Sequence, residues 1–241
     1  NNSQWIVDAY SCFSFSNGSI TNYNNSCTKS VIIPSIIWGQ NVTSIGNNAF
    51  AWKLMTSVVM PNSILAIWNS AFVGNQLTSV TIPENVIAIG DYAFEGNPNA
   101  PLIFNHLTSI VIPNSVITIG DGAFAYNQLT SVTLWNSITF IGGYNWLSVG
   151  AFGNNKLTSV TIPESVTTIG ASAFYGNQLT SIDIPGNVTT IGYAAFAGGN
   201  HITSVILPDG ITGIGDYAFQ WNWLTSIVIP DSVVMLSGFW G

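Results

Sequence analysis

The chain has 241 residues, of which 47% are hydrophobic and only 5% charged, and its net charge is −7. An ordinary soluble domain is roughly a quarter charged, so Asn, Ser and Thr must keep this surface hydrated. There is no Arg, and Lys29, Lys53 and Lys156 are too scattered to form a groove that displaces phosphate counterions, which excludes nucleic-acid binding and electrostatic docking on anionic lipid.

No apolar run reaches the ~18 residues of a membrane span. Cys12 and Cys27 lie in the one stretch that does not repeat. Two readings stand for them. A disulfide would close a short loop and stabilise by about 3 kcal/mol; the other reading is a pair of buried thiols. A small end cap lacks core and gains from a staple, which favours the disulfide.

From Met55 onward one phrase recurs: Met55-Thr56-Ser57-Val58, Leu77-Thr78-Ser79-Val80, Leu107-Thr108-Ser109-Ile110, Leu129-Thr130-Ser131-Val132, Leu157-Thr158-Ser159-Val160, Leu179-Thr180-Ser181-Ile182, Ile202-Thr203-Ser204-Val205 and Leu224-Thr225-Ser226-Ile227. The spacing is usually 22 residues and once 23, with longer connections near 97–106 and 143–150. The pattern divides the chain into a cap and first coil over 1–53 and tandem repeats over 54–241, with an incomplete last coil.

Within a copy, Val80 and Ile82 alternate with Ser79 and Thr81, the period of a half-buried strand. Pro83 lacks a donor and ends it. Val86, Ile89 and Phe94 bring the chain back across the core, and Gly90 suits a tight bend. Asp91, Asp121 and Asp216 follow such a Gly and suit the N-cap of a single helical turn. An Asn precedes most strands (Asn75, Asn127, Asn155, Asn177, Asn200, Asn222), and its amide is expected to bond backbone groups of the next coil. One coil cannot bury its own apolar face, so coils must stack, giving a rod roughly 40–45 Å long at a strand spacing of ~4.8 Å.

The combination Leu-Thr-Ser-Val, Ile-Pro, and Ile-Gly-x-x-Ala-Phe, as at Ile89-Gly90-Asp91-Tyr92-Ala93-Phe94, resembles the BspA-like (Treponema-type) leucine-rich repeats over about residues 28–236. The resemblance implies a β-rich α/β solenoid. It would be a right-handed coil with one parallel β-sheet face, short helical or 3-10 turns opposite, and an N-terminal β cap. Phe13-Ser14-Phe15, Gly18 to Tyr23 and Val31 to Pro34 look like the start of such proteins and read as two or three cap strands.

The outward strand positions form an all-Ser column and a mixed one. The binding face is expected to include Ser79, Thr81, Ser109, Val111, Ser131, Thr133, Ser159, Thr161, Ser181, Asp183, Ser204 and Ile206. A Thr column, Thr56 to Thr225, lies beside them. Ser and Thr also suit strands for structural reasons alone. Outward Val59, Val111, Ile206 and Val228 favour a partner.

His106 and His201 occupy a position that elsewhere holds Gln or Lys, a solvated turn. No metal-ligand spacing, catalytic triad or paired carboxylate is visible, so no enzyme, cofactor or metal is expected. Trp68, Trp52 and Trp221 stand where other copies carry Gly. They are products of drift, aromatic anchors, or UGA codons read as Gly in the source bacterium and translated as Trp, and they should be strained or swung into solvent.

The resemblance implies a secreted or surface-displayed bacterial adhesion module. Its sheet face would recognise a protein or glycan, without nucleic acid or membrane insertion. The alternatives are a self-assembling structural component, joined end to end or as a surface layer, and an ice-binding Thr/Ser array.

Overall fold

The computed structural model describes residues 10–96, 104–144 and 147–236, leaving aside the side chains of 235 and 236. Most of the longer connection near 97–106, part of that near 143–150 and the tail after 236 lie outside the described residues. The described chain is a β-solenoid of about nine turns.

The N-terminal end is a hairpin. Strands Phe13–Ser16 and Ser19–Tyr23 pair antiparallel. Asn17 and Gly18, at φ 50° and 79°, make the two-residue turn whose left-handed backbone matches strand twist. Ser19–Tyr23 then pairs in parallel with Ser44–Ile45 and so starts the stack. Phe13 and Tyr23 close over Phe50, with ring centroids 6.4 and 5.2 Å away. Cys12 and Cys27 form a disulfide with Cα atoms 6.0 Å apart. Replacing both with Ser should cost about 3 kcal/mol of stability, because the open chain regains loop entropy. In a solenoid each coil touches only its neighbours, so the loss should appear as faster amide exchange across residues 13–23 before it reaches distant coils.

Two parallel ladders run along the stack, where the sequence predicted one. The expected ladder, on the Thr-Ser side, is present in pieces. Ser30–Ile32 pairs with Ser57–Val59, Ser109–Val111 with Ser131–Thr133, and Ile182–Asp183 with Ser204–Ile206 and then Ser226–Val228. The copies at 79–81 and 159–161, the first of them the example from which the strand was read, keep the in-out alternation but form no strand. Those coils are tied just before the Thr-Ser segment instead, by Gln76 N–H to the Met55 carbonyl and Lys156 N–H to that of Leu129.

The longer ladder lies on the Ile-Gly side. It runs in one sheet from the hairpin to Thr118–Ile119 and in another from Phe140–Ile141 to Met235–Leu236. Glycine suits most of its close approaches. A Cβ on Gly90 would sit 2.4 Å from Asn69 Oδ1, and one on Gly120 2.3 Å from Asp91 Oδ1, so these two coils leave no room for a side chain. The N–H groups of this column bond back one coil, from Gly90 to the Ile67 carbonyl and from Gly120 to that of Ile89, both at 2.8 Å, and Trp68 makes the same bond to Ile45 at 2.9 Å.

The segment after the glycine is not helical, contrary to the sequence reading; among the described residues it forms turns, apart from the isolated bridge between Gly143 and Ala171. The second residue after the glycine is left-handed, with φ 57° at Tyr92, 52° at Ser172 and 60° at Tyr217, and so is Ser70, two residues after Trp68, at 56°. A left-handed residue breaks a right-handed helix. The Phe N–H groups are spent between coils instead, Phe94 donating to the Ala123 carbonyl and Phe174 to that of Ala195, each at 2.8 Å. The N-cap role of the aspartates fails for the same reason. Asp91 Oδ1 accepts the Asp121 N–H at 3.0 Å, and Asp121 Oδ1 accepts the Tyr144 N–H at 3.1 Å, so these carboxylates bridge to the following coil.

Two internal ladders hold the centre. Phe50, Phe72, Phe94, Phe124, Phe152, Phe174, Phe196 and Phe219 stack nearly parallel, with successive centroids 5.0 to 5.9 Å apart. The buried Asn column is as expected except in direction: it bonds the preceding coil. Asn75 Oδ1 accepts the Met55 N–H at 2.9 Å, and its amide donates to the Phe50 and Phe72 carbonyls. Asn105, hidden in the sequence by the longer connection before it, does the same for Leu77.

Trp52 and Trp221 adopt left-handed φ of 57° and 59° and are half exposed or more, so they are both strained and swung outward. The Trp52 ring lies on Gly74, where a Cβ would meet it at 2.2 Å. Trp68 takes the tight Gly column with ordinary φ and turns outward, 45% exposed.

Candidate functional site

The Thr-Ser side places every outward residue where the alternation predicts. Ser79, Thr81, Ser109, Val111, Ser131, Thr133, Ser159, Thr161, Ser181, Asp183, Ser204 and Ile206 are all exposed. They form two columns along the rod, because a strand sends alternate side chains to one face, and Ser79, Thr81, Ser109 and Val111 also line a shared recess of about 300 Å³ between their two coils. The mixed column is apolar at both ends. Ile32 and Val59 lie on paired strands, as do Ile206 and Val228, which are 83% and 77% exposed. Asp183 sits one coil before Ile206.

Part of the hydroxyl array serves the fold. Thr130 Oγ1 donates to the Thr108 carbonyl, Thr225 Oγ1 to that of Thr203, and Ser30 and Ser57 hydroxyls bond each other at 2.7 Å. His106 shares a 2.9 Å hydrogen bond with Gln128 and packs on Phe104, while His201 stacks on Trp223. Among the described residues, no group of three or more His, Cys, Asp or Glu could hold a metal ion, and no helix is long and apolar enough to cross a membrane.

A second region was missed by the sequence reading. On the Ile-Gly side, a groove of about 750 Å³ runs across the coils of Gly143, Gly170, Gly192 and Gly215, walled by Phe140, Tyr144 and Tyr193, with Asp216 at its end. Phe140 and Tyr144 stack at 4.6 Å. A smaller groove of about 300 Å³ on the neighbouring turns shares Tyr193 and adds Tyr126, Tyr175, Tyr217 and Trp221. Tyr193 and Tyr217 meet edge to face at 5.6 Å between the two. The available signal was Tyr193 itself, which stands where other copies carry Asn69, Asp91, Asp121 or Asp216.

Among the described residues, Glu95, on the turn side, is the one carboxyl strongly displaced; burial pushes it up to about 7. Its charge, with those of other groups, raises the phenols of Tyr92 and Tyr126, both already raised by burial. Between its ordinary value near 4.5 and about 7, the folded chain keeps a proton that the unfolded chain has lost. Unfolding then releases it, so stability should fall as pH rises through that window. After allowance for solvent screening the loss is about 1–2 kcal/mol. Urea midpoints at pH 4.5 and 8 should reveal this slope, and Glu95→Gln should flatten it.

The stack of short coils on two parallel ladders defines a leucine-rich-repeat solenoid. The model of the BspA type leucine rich repeat region matches six copies over residues 10–101 and 145–238, and the chain belongs to that family. Among solved structures, the chain is similar to a leucine rich cell surface protein from Faecalibacterium prausnitzii. Identity is 30%, the match covers 82% of this chain and 59% of that one, and the TM-score is 0.52. The chain thus spans about three fifths of that protein's length. A leucine-rich repeat protein from Eubacterium ventriosum matches with 22% identity over 87% of this chain and 64% of that one, at a TM-score of 0.49. Comparison with curated proteins finds no match.

Proposed function

We propose that the chain is a non-enzymatic binding module of a bacterial surface or secreted protein, and that its Thr-Ser face is the contact surface for a protein or glycan partner. Leucine-rich-repeat proteins are in general binding modules, and the Faecalibacterium protein is described as a cell surface protein. The Cys12–Cys27 disulfide suits an oxidising, extracellular setting.

The observation that carries the reading is the pair Ile206 and Val228. Two large aliphatic side chains lie side by side on paired strands and are more than three quarters exposed. Such area is costly to leave in water and is suited to the centre of an interface, with the flanking Ser204 and Ser226 as a polar rim. A protein partner fits these apolar ends best. Ice binding fits less well, because Ile and Val interrupt the mixed column beside the Ser column and the ladder beneath is broken at 79–81 and 159–161.

The test is an array of purified extracellular-matrix proteins and glycans probed with the full chain and with Ile206→Ser/Val228→Ser. A hit that the double variant loses, from a chain that light scattering finds monomeric, supports the reading. Concentration-dependent polymers that the double variant abolishes would replace it with self-assembly. A hit to which the double variant is indifferent would move the site elsewhere.

A further inference from the structure

We infer that the groove on the Ile-Gly side is a second binding site, and that its ligand is a neutral oligosaccharide. The groove lies around the coil from the Ser ladder and contains none of the residues assigned to that face.

Its chemistry is selective. The walls are aromatic: Phe140 and Tyr144 form a stacked pair, and Tyr144 is 70% exposed, so ring surface stands open to solvent. Tyr193 faces them two coils away, about 10 Å at the spacing of paired strands, a span that a short oligosaccharide bridges. Pyranose rings present C–H faces that pack on such rings and hydroxyls that need acceptors. The phenol hydroxyls of Tyr144 and Tyr193 supply them, since each can accept as well as donate a hydrogen bond.

The floor is largely backbone, because four successive coils carry Gly at the bend and lie close against one another there. Among the described residues no Lys or His lines either groove, and Asp216 is the one charged group, so phosphate, sulfate and sialic acid find no counter-charge among them. An extended peptide is disfavoured because the backbone is already used. The Gly170, Gly192 and Gly215 N–H groups bond the preceding Ile carbonyls, while Gly143 and Ala171 pair with each other. These floor groups are closed to an added peptide strand.

Two substitutions remove wall surface without touching the core. Tyr193→Ala restores the residue that the preceding coil carries at that position, Ala171, so the fold accommodates it. Tyr144→Ala removes a ring that is mostly in water. Calorimetric titration with cello-, xylo-, manno-, laminari- and chito-hexaose should find at least one ligand with a micromolar to millimolar Kd that is indifferent to salt. Each tyrosine variant should weaken that Kd by about tenfold or more. Ile206→Ser/Val228→Ser should leave it unchanged, which separates this site from the Thr-Ser face. The inference is overturned if none of the five binds, if both tyrosine variants bind like the parent chain, or if affinity collapses with added salt.

Discussion

Phe124→Ala should destabilise the solenoid by about 4 kcal/mol. The Phe124 ring is fully buried and sits between two others, Phe94 at 5.4 Å and Phe152 at 5.7 Å, each within 6° of parallel. Centroid separations this large with planes this parallel mean offset stacking, which contributes about 0.5–1.5 kcal/mol per pair beyond area burial. Substitution removes both pairs and leaves a void that neighbours cannot collapse into, because their backbones are pinned by ladder bonds on either side. The effect should also be positional. Each coil is coupled only to its neighbours, so a hole in mid-stack weakens the junction between the two halves. Denaturant unfolding followed by circular dichroism should become biphasic, with a lower midpoint for one phase. A single cooperative transition displaced by less than about 1 kcal/mol would show that the Phe column is not the continuous element described.

Asn155→Ala is the second large effect, expected at about 3 kcal/mol or more. Asn155 is buried, and its four bonds close the local accounting. Its Oδ1 accepts the Leu129 N–H at 3.0 Å, and its amide donates to the carbonyls of Phe124, Phe152 and Gly153 at 3.0, 3.1 and 3.2 Å. Alanine leaves a buried donor and buried acceptors without partners, each costing its full desolvation penalty. Asn222 offers an internal comparison. It makes the same bonds to Ile202, Phe196 and Phe219 but is only half-buried, so water can replace it and Asn222→Ala should cost clearly less. Equal midpoint shifts for the two variants would mean that burial is not what makes this ladder costly to break.

These two columns also mark how far the sequence could be read. The repeat made the Asn and Phe positions visible as columns, since a period of 22 residues stacks equivalent side chains. It did not say which neighbour the Asn would serve, because the amide reaches both ways and only the offset between coils chooses. Asn105 escaped notice for a related reason: the 97–106 connection moved it out of the count, although it stands two residues before Leu107 like its counterparts. The candidate face was legible in full because strand alternation is local, and each of its twelve residues is exposed. The groove at Phe140, Tyr144 and Tyr193 was not, because its walls come from coils separated by dozens of residues and from the edge of a connection that breaks the pattern.

What the sequence determined alone is the set of alternations and intervals. Apolar residues repeat at strand period within a copy and at a fixed interval between copies, and burial of that surface leaves stacking as the outcome. Tertiary structure decided where the backbone hydrogen bonds go. The turn after the glycine has the composition of a helical turn, but its left-handed second residue and the reach of the adjacent coil send its N–H groups sideways. The Ile-Gly side, not the Thr-Ser strands, carries the longer ladder, because the N–H that follows each Ile bonds the preceding coil, whether it belongs to glycine or to Trp68.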